Sequence, residues 1–248
     1  TYDTARNLET RRTLPTGSHI STTWHQTFRL PTSITEFNRV TSFSYDAKGN
    51  LLQKTISATG SPSRTWTYTY NAFGQVLTVD GPRTDVKDVT TFTYDSKGNL
   101  TTVSNALGHV IRITQYDLHG KPLSVTGPNG LVTTFTYDAR QRLTARNTGG
   151  EITAYAYDAA GNLIKVTRQD GSFLTYSYDS AQRLIGVSDP LGNRIAYTLD
   201  KVGNRVRTDV FDPANAPSQT RSQIFDALNR VVTDIGAQSQ RTGFTYDK

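Results

Sequence analysis

Cysteine and methionine are both absent from this 248-residue chain. Without thiols there can be no disulfide and no thiolate metal site, and the redox compartment is left open. Without methionine there is no initiator, and the ends "TYDTARN" and "FTYDK" both fall inside the motif described below. The expectation is a segment truncated at both ends from a longer protein. No apolar run approaches the roughly 18 residues of a spanning helix, and no signal peptide opens the chain, so no membrane span is expected. Glutamate is scarce, confined to Glu9, Glu36 and Glu151. Apolar content of 35% is low for a globular domain, which suits a β-rich chain with many turns and little enclosed core.

Catalytic constellations are missing too. The histidines His19, His25, His109 and His119 share no metal-ligand spacing, and there is no Walker loop and no Gly-x-Ser-x-Gly elbow. Nothing supplies a nucleophile with its base. No catalytic, cofactor-binding or metal-binding residue is therefore assigned, no cofactor is expected, and the chain reads as no enzyme. Its net charge of +6, from 27 Lys and Arg against 21 Asp and Glu, is scattered along the whole length. Nucleic-acid binders more often cluster their basic residues, so no nucleic-acid partner is expected.

What is present is repetition. "YDAKGNLLQK" (45–54), "YDSKGNLTTV" (94–103), "YDAAGNLIKV" (157–166) and "YDSAQRLIGV" (178–187) are variants of one unit. Anchors stand at Tyr2, Trp24, Tyr45, Tyr70, Tyr94, Tyr116, Tyr137, Tyr157, Tyr178, Leu199, Phe225 and Tyr246, with gaps of 20 to 26 residues. Trp24-His25 fills what would otherwise be a gap of 43. The next residue is Asp at all but His25 and Asn71, as in Asp46, Asp95, Asp117, Asp138, Asp158 and Asp179. Four residues after the anchor stands Gly at 49, 74, 98, 120, 161 and 203, the fifth position is polar, and the sixth is often Leu. A site occurs once or twice in a chain, whereas this motif fills it. A fixed period near 22 residues marks a repeat architecture, and about eleven repeats span residues 1–248 as one array without a linker.

Turn chemistry accounts for the columns. In Asp158-Ala159-Ala160-Gly161 an Asp at the first position accepts backbone N–H bonds, and Gly at the fourth takes positive φ. A type I turn followed by a left-handed residue makes the bulged loop that joins antiparallel strands. Gln141 and Gln182 hold that place at a cost, and Asn229 tolerates it better. Before the turns, Phe92-Thr93-Tyr94, Phe135-Thr136-Tyr137 and Tyr176-Ser177-Tyr178 alternate with period two, which predicts strands with aromatics on one face. Asn105–Gly108 and Asp189–Gly192 repeat the grammar at the other end, and Asn129-Gly130 and Asp170-Gly171 are short hairpin signals. The longest inserts are "ISATGSPSR" (56–64) and "FDPANAPSQTR" (211–221).

The predicted fold is all-β. Antiparallel hairpins pair into one long sheet of about 22 strands, roughly 100 Å from end to end. Twist accumulates along such a strip, so it curls like a solenoid, and an inward aromatic face makes it part of a hollow shell. Open edges predict self-association. Trp24 and Trp66 are the most plausible stacking platforms for a carbohydrate.

These residues carry a resemblance. "YDAKGNLLQKT", "YDAAGNLIKVT" and "FDALNRVVT" resemble the tyrosine–aspartate (YD) repeats of Rhs proteins, which include bacterial polymorphic toxins, cocoon subunits of toxin complexes and animal teneurins. "FRLPTSITE" (28–36) and "NALGHV" (105–110) resemble the bacterial branch. The resemblance implies a spiralling β-shell that encloses a C-terminal toxin, with the rest of the parent polypeptide and that toxin as partners. It also implies secretion or injection from a bacterium. The family's autoproteolytic region is not recognisable, so no catalytic residue carries over. A non-catalytic wall segment is the function expected. The alternative is a surface module that binds carbohydrate or contacts another cell.

Overall fold

The computed structural model describes residues 1–247. The fold is all-β, with no helix among the described residues. Contacts gather into two units, Thr1–Leu131 and a second from Val132 onward.

The first unit opens with a small sheet of β1 (Tyr2–Asp3) and β2 (Leu8–Glu9). A meander follows through β3 (Arg11–Thr13), β4 (His19–Trp24), β5 (Pro31–Glu36), β6 (Arg39–Tyr45), β7 (Leu51–Ala58) and β8 (Ser61–Tyr70). It continues through β9 (Val76–Asp80), β10 (Thr90–Tyr94), β11 (Leu100–Ser104), β12 (Val110–Tyr116) and β13 (Pro122–Thr126). Within the meander each strand pairs antiparallel with the one before it.

The second unit is a meander of the same kind. It runs through β14 (Val132–Tyr137), β15 (Leu143–Thr148), β16 (Glu151–Tyr157), β17 (Leu163–Arg168), β18 (Phe173–Tyr178) and β19 (Leu184–Ser188). It ends with β20 (Arg194–Leu199), β21 (Arg205–Phe211), β22 (Pro217–Phe225), β23 (Val231–Ile235) and β24 (Arg241–Gly243). Neighbours in sequence again pair antiparallel.

One irregularity recurs at the anchor. The register shifts by a residue just before Tyr45, Tyr70, Tyr94, Tyr137, Tyr157, Tyr178, Leu199 and Phe225. The cause is the turn. Gly161 N–H donates to Asp158 O at 3.2 Å, Asp158 N–H donates to Asn162 O at 3.0 Å, and Gly161 has φ 103°. An extra residue then faces the partner strand, which is a β-bulge. Gln141, Gln182 and Asn229 take the same left-handed conformation at φ 64°, 62° and 61°. Both Asn129-Gly130 and Asp170-Gly171 sit at the third and fourth positions of this same four-residue turn, closed by Gly130 N–H to Gly127 O and Gly171 N–H to Arg168 O, both 3.0 Å.

The two long inserts are not loops. Residues 56–64 extend β7 and β8 around a two-residue tip, with Ala58 opposite Ser61. Residues 211–221 end β21, make a turn in which Asn215 has φ 62°, and begin β22. The irregular connection is 81–89, where the Asp88 carboxylate folds over Gly81 so closely that a Cβ there would lie 2.1 Å from it. Phe37 is a second departure: it sits at a hairpin tip with φ 55° and is 65% exposed. A bulky residue at positive φ carries strain.

Alternation sorts the strands into two faces. In β14, Thr133, Phe135 and Tyr137 are half-buried, whereas Val132, Thr134 and Thr136 are exposed or nearly so. On the hydroxyl face, paired side chains bond across strands: Thr69 with Thr78 at 2.6 Å, Thr93 with Thr102 at 2.6 Å, and Thr175 with Ser188 at 2.7 Å. Burial is shallow throughout. Leu8, 6% exposed, is the one nearly enclosed apolar side chain among the described residues, and Asp209, at 8%, is its polar counterpart.

Candidate functional site

Each YD turn consumes its own polar groups. Asp46 Oδ1 accepts from Lys48 N–H and Asn50 N–H, both at 2.8 Å, while Oδ2 accepts from Asn50 Nδ2 at 2.8 Å. Asp95 is held in the same way by Lys97 and Asn99. Asp117 accepts from the backbone of His119 and Lys121. Asp158 accepts from Gly161 N–H and Asn162 N–H at 2.8 Å and from Asn162 Nδ2 at 2.9 Å. In Asp138 and Asp179 the outer oxygen is taken by Arg142 Nε and Arg183 Nε, each at 2.7 Å. Gly49, Gly98 and Gly120 stand with Gly161 at the left-handed corner.

Stabilising the anion lowers its proton affinity. The Asn50 side chain holds Asp46 below the ordinary carboxylate value, as Asn99 does for Asp95 and Asn162 for Asp158. The Arg183 side chain does so for Asp179, and backbone N–H bonds lead at Asp117 and Asp138. Carboxylates fixed in this way act as turn closers, with Oδ1 taken by backbone N–H groups in each of these turns. Among the described residues, no three of His, Asp and Glu gather into a group that could hold a metal.

The anchor tyrosines do a second job. Tyr157 OH donates to Leu143 O at 2.9 Å, Tyr178 OH to Leu163 O at 2.9 Å, Tyr45 OH to Pro31 O at 2.8 Å and Tyr94 OH to Val76 O at 2.9 Å. Tyr70 and Tyr116 reach Leu51 O and Leu100 O, and burial pushes the Tyr45, Tyr70 and Tyr116 hydroxyls up in pKa, which keeps them donors. Tyr137 stands opposite Leu143 in the same column. The acceptor is always the residue just after the preceding turn. There the ladder has already ended: the β17–β18 pairing stops at Lys165 and Thr175, and Leu163 lies beyond it. The hydroxyl supplies the rung that the diverging backbones cannot.

Fifth-position side chains also reach forward to the next turn. Gln75 Nε2 donates to Gly98 O at 2.8 Å, Arg183 Nη1 to Asp200 O at 3.1 Å and Arg142 Nη1 to Asp158 O at 3.3 Å. From the third position, Lys48 Nζ donates to Ala72 O at 2.9 Å and Arg140 Nη1 to Ala159 O at 2.8 Å. The turn edge within each unit is thereby stitched. Sequence reasoning missed these partners. Its one signal was the unbroken polarity of the fifth column.

The degenerate unit keeps the scheme with other atoms. His25 Nδ1 accepts from Thr27 N–H at 3.1 Å and Phe28 N–H at 3.2 Å, doing for its turn what Asp does elsewhere. Trp24 Nε1 donates to Glu9 O at 3.0 Å. Trp66 lies half-buried, with Lys54 Nζ 5.4 Å and Arg64 Cζ 5.2 Å from its ring centre.

Comparison with known proteins agrees with this geometry. The family described as Teneurin YD-shell matches residues 37–241. No curated protein sequence matches. Among solved structures, the crystal structure of TcdB2-TccC3 without its hypervariable C-terminal region is similar with a TM-score of 0.74, at 19% identity over 90% of this chain. The crystal structure of TcdB2-TccC3-TEV is similar with a TM-score of 0.55, at 16% identity over 94% of this chain. The chain spans only 14% and 16% of the length of those two chains. At such identities the likeness is one of fold. The family match covers most of the 248 residues, so the chain belongs to the Teneurin YD-shell family.

Proposed function

We propose that this chain is a non-catalytic wall segment of an Rhs-type shell that encloses a C-terminal toxin. One observation carries the reading: the repeated groups are spent on the sheet itself, Tyr178 clasping the preceding hairpin at Leu163 O, Asp179 closing its own turn with Arg183, and Arg183 reaching on to Asp200 O of the next turn. Repetition without free chemistry suits a wall. Both units are taken as parts of one repeat array, and the sixteen residues Tyr45, Asp46, Gly49, Tyr94, Asp95, Gly98, Tyr116, Asp117, Gly120, Tyr137, Asp138, Tyr157, Asp158, Gly161, Tyr178 and Asp179 as its structural repeat.

The solved relative without its hypervariable C-terminal region supports a variable cargo that follows a shell of this fold. The partners in this reading are the remainder of the parent polypeptide and the enclosed toxin, in a protein secreted or injected from a bacterium. Carbohydrate binding at Trp66 is less well supported, because the cations of Lys54 and Arg64 lie near the ring a sugar would stack on.

Limited proteolysis of the parent protein tests the proposal. The C-terminal segment should survive protease while the hairpin 151–168 is intact and be digested when that hairpin is deleted. A segment equally sensitive in both forms overturns it.

A further inference from the structure

The face that carries the anchor aromatics also carries cations that have no counter-charge. Residues directly opposite in an antiparallel pair share a face. Arg146 stands opposite Phe135 on one side and Thr153 on the other, and Thr153 in turn stands opposite Arg168. Both guanidinium groups therefore lie on the face of Phe135, Tyr155 and Val166. Arg205 joins them, stacked 3.7 Å over the Tyr197 ring. All three are exposed, and among the described residues none makes an ion pair.

This sets them apart from five other arginines of the second unit. Arg142, Arg183 and Arg230 are pinned by their turn aspartates, Arg207 by Asp209, and Arg221 by Asp234. Asp234, opposite Gln223 on the aromatic face, is thus neutralised in place, and among the described strand residues the other acid of that face is Glu151, at a strand end. The first unit shows the same excess by itself. Lys54, opposite Phe43, and Arg64 flank Trp66 without an ion pair, while Glu36 is neutralised by Arg39 at 2.6 Å.

We infer that the aromatic face of the second unit is a docking surface for an acidic stretch of polypeptide, with Arg146, Arg168 and Arg205 as its contacts. Guanidinium groups set among tyrosines and aliphatic side chains suit a partner that offers carboxylates between apolar side chains. The inference rests on the shell reading, since it names the chemistry of what lies against the wall. An acidic segment gains from the face both charge pairing and cover for half-buried rings, whereas a basic one is repelled.

The test uses the 248-residue chain and two fluorescein-labelled peptides of equal length and aromatic content, one Glu-rich and one Lys-rich, read by anisotropy. The Glu-rich peptide should bind and weaken with added salt. The triple variant R146Q/R168Q/R205Q should lose about tenfold in affinity, as three exposed charge pairs together allow. The control K165Q/R194Q removes two cations from the opposite face of the same unit, where Lys165 stands opposite Thr175, Thr175 opposite Ser188 and Ser188 opposite Arg194, and should bind as the parent does. Absence of binding, preference for the Lys-rich peptide, or equal loss in the control each overturn the inference. Circular dichroism of the variants separates lost contacts from lost fold. Failure of the protease-protection experiment with intact peptide binding would overturn the shell reading alone.

Discussion

The hydroxyl of Tyr178 donates to the carbonyl oxygen of Leu163 at 2.9 Å, across a gap where the two strands have stopped exchanging backbone bonds. Tyr178→Phe keeps the ring and removes only this bond. Stability should fall by about 1 kcal/mol, the usual worth of one such bond. Urea denaturation would show a lower midpoint at an unchanged slope.

Gln182 holds the left-handed corner of its turn at φ 62°, and its side chain is exposed. Gln182→Gly should stabilise by about 1 kcal/mol, because glycine adopts that conformation without the Cβ clash. Gly161→Ala should cost a similar amount. The two midpoints should move in opposite directions.

Phe37 at φ 55° is the same problem in a harder form, since its ring finds little cover at 65% exposure. Phe37→Gly should raise the thermal midpoint by relieving about 1 kcal/mol of strain. No rise would mean that the ring packs better than its exposure implies.

His25 stands in for aspartate by accepting two backbone N–H bonds at its Nδ1. His25→Ala should destabilise by about 1 kcal/mol, and His25→Asn should recover part of the loss because its side-chain oxygen can accept. Denaturation of both variants checks this.

Asp46, Asp95, Asp158 and Asp179 all hold their protons less tightly than the ordinary value of 3.8. A lowered folded-state pKa gives stability that is complete above the unfolded value and is lost as pH falls through the folded one. Stability should therefore be flat near neutrality and decline below about pH 4. Asp179→Asn should make that acid decline shallower. A pH series of thermal midpoints measures it.

Much of this was legible in the sequence because turn chemistry is written in side chains. Asp158 and Gly161 declare a turn by identity and spacing, and the Phe135-Thr136-Tyr137 alternation declares a strand. The Tyr178–Leu163 clasp was not legible, since its acceptor is a main-chain oxygen fifteen residues away that any residue would present. The partnership of Asp179 with Arg183 was visible only as a polar column, because Asn, Gln and Arg all satisfy it. Phe37 gave no warning at all: neither Gly nor Asn marks the left-handed position at that tip. The stretch 56–64 was legible as a long insert from its length, but not that it lengthens β7 and β8, which only the register shows.

The shallow burial that leaves Leu8 the one nearly enclosed apolar side chain among the described residues has a consequence for how damage spreads. With no deep interior shared by distant residues, each hairpin within a unit draws its stability from the two beside it, so the energetics are those of a one-dimensional chain of nearest neighbours. A lesion at one clasp should then fray its own hairpin and leave remote ones intact, letting such a sequence tolerate copies as degenerate as the one around Trp24 and His25.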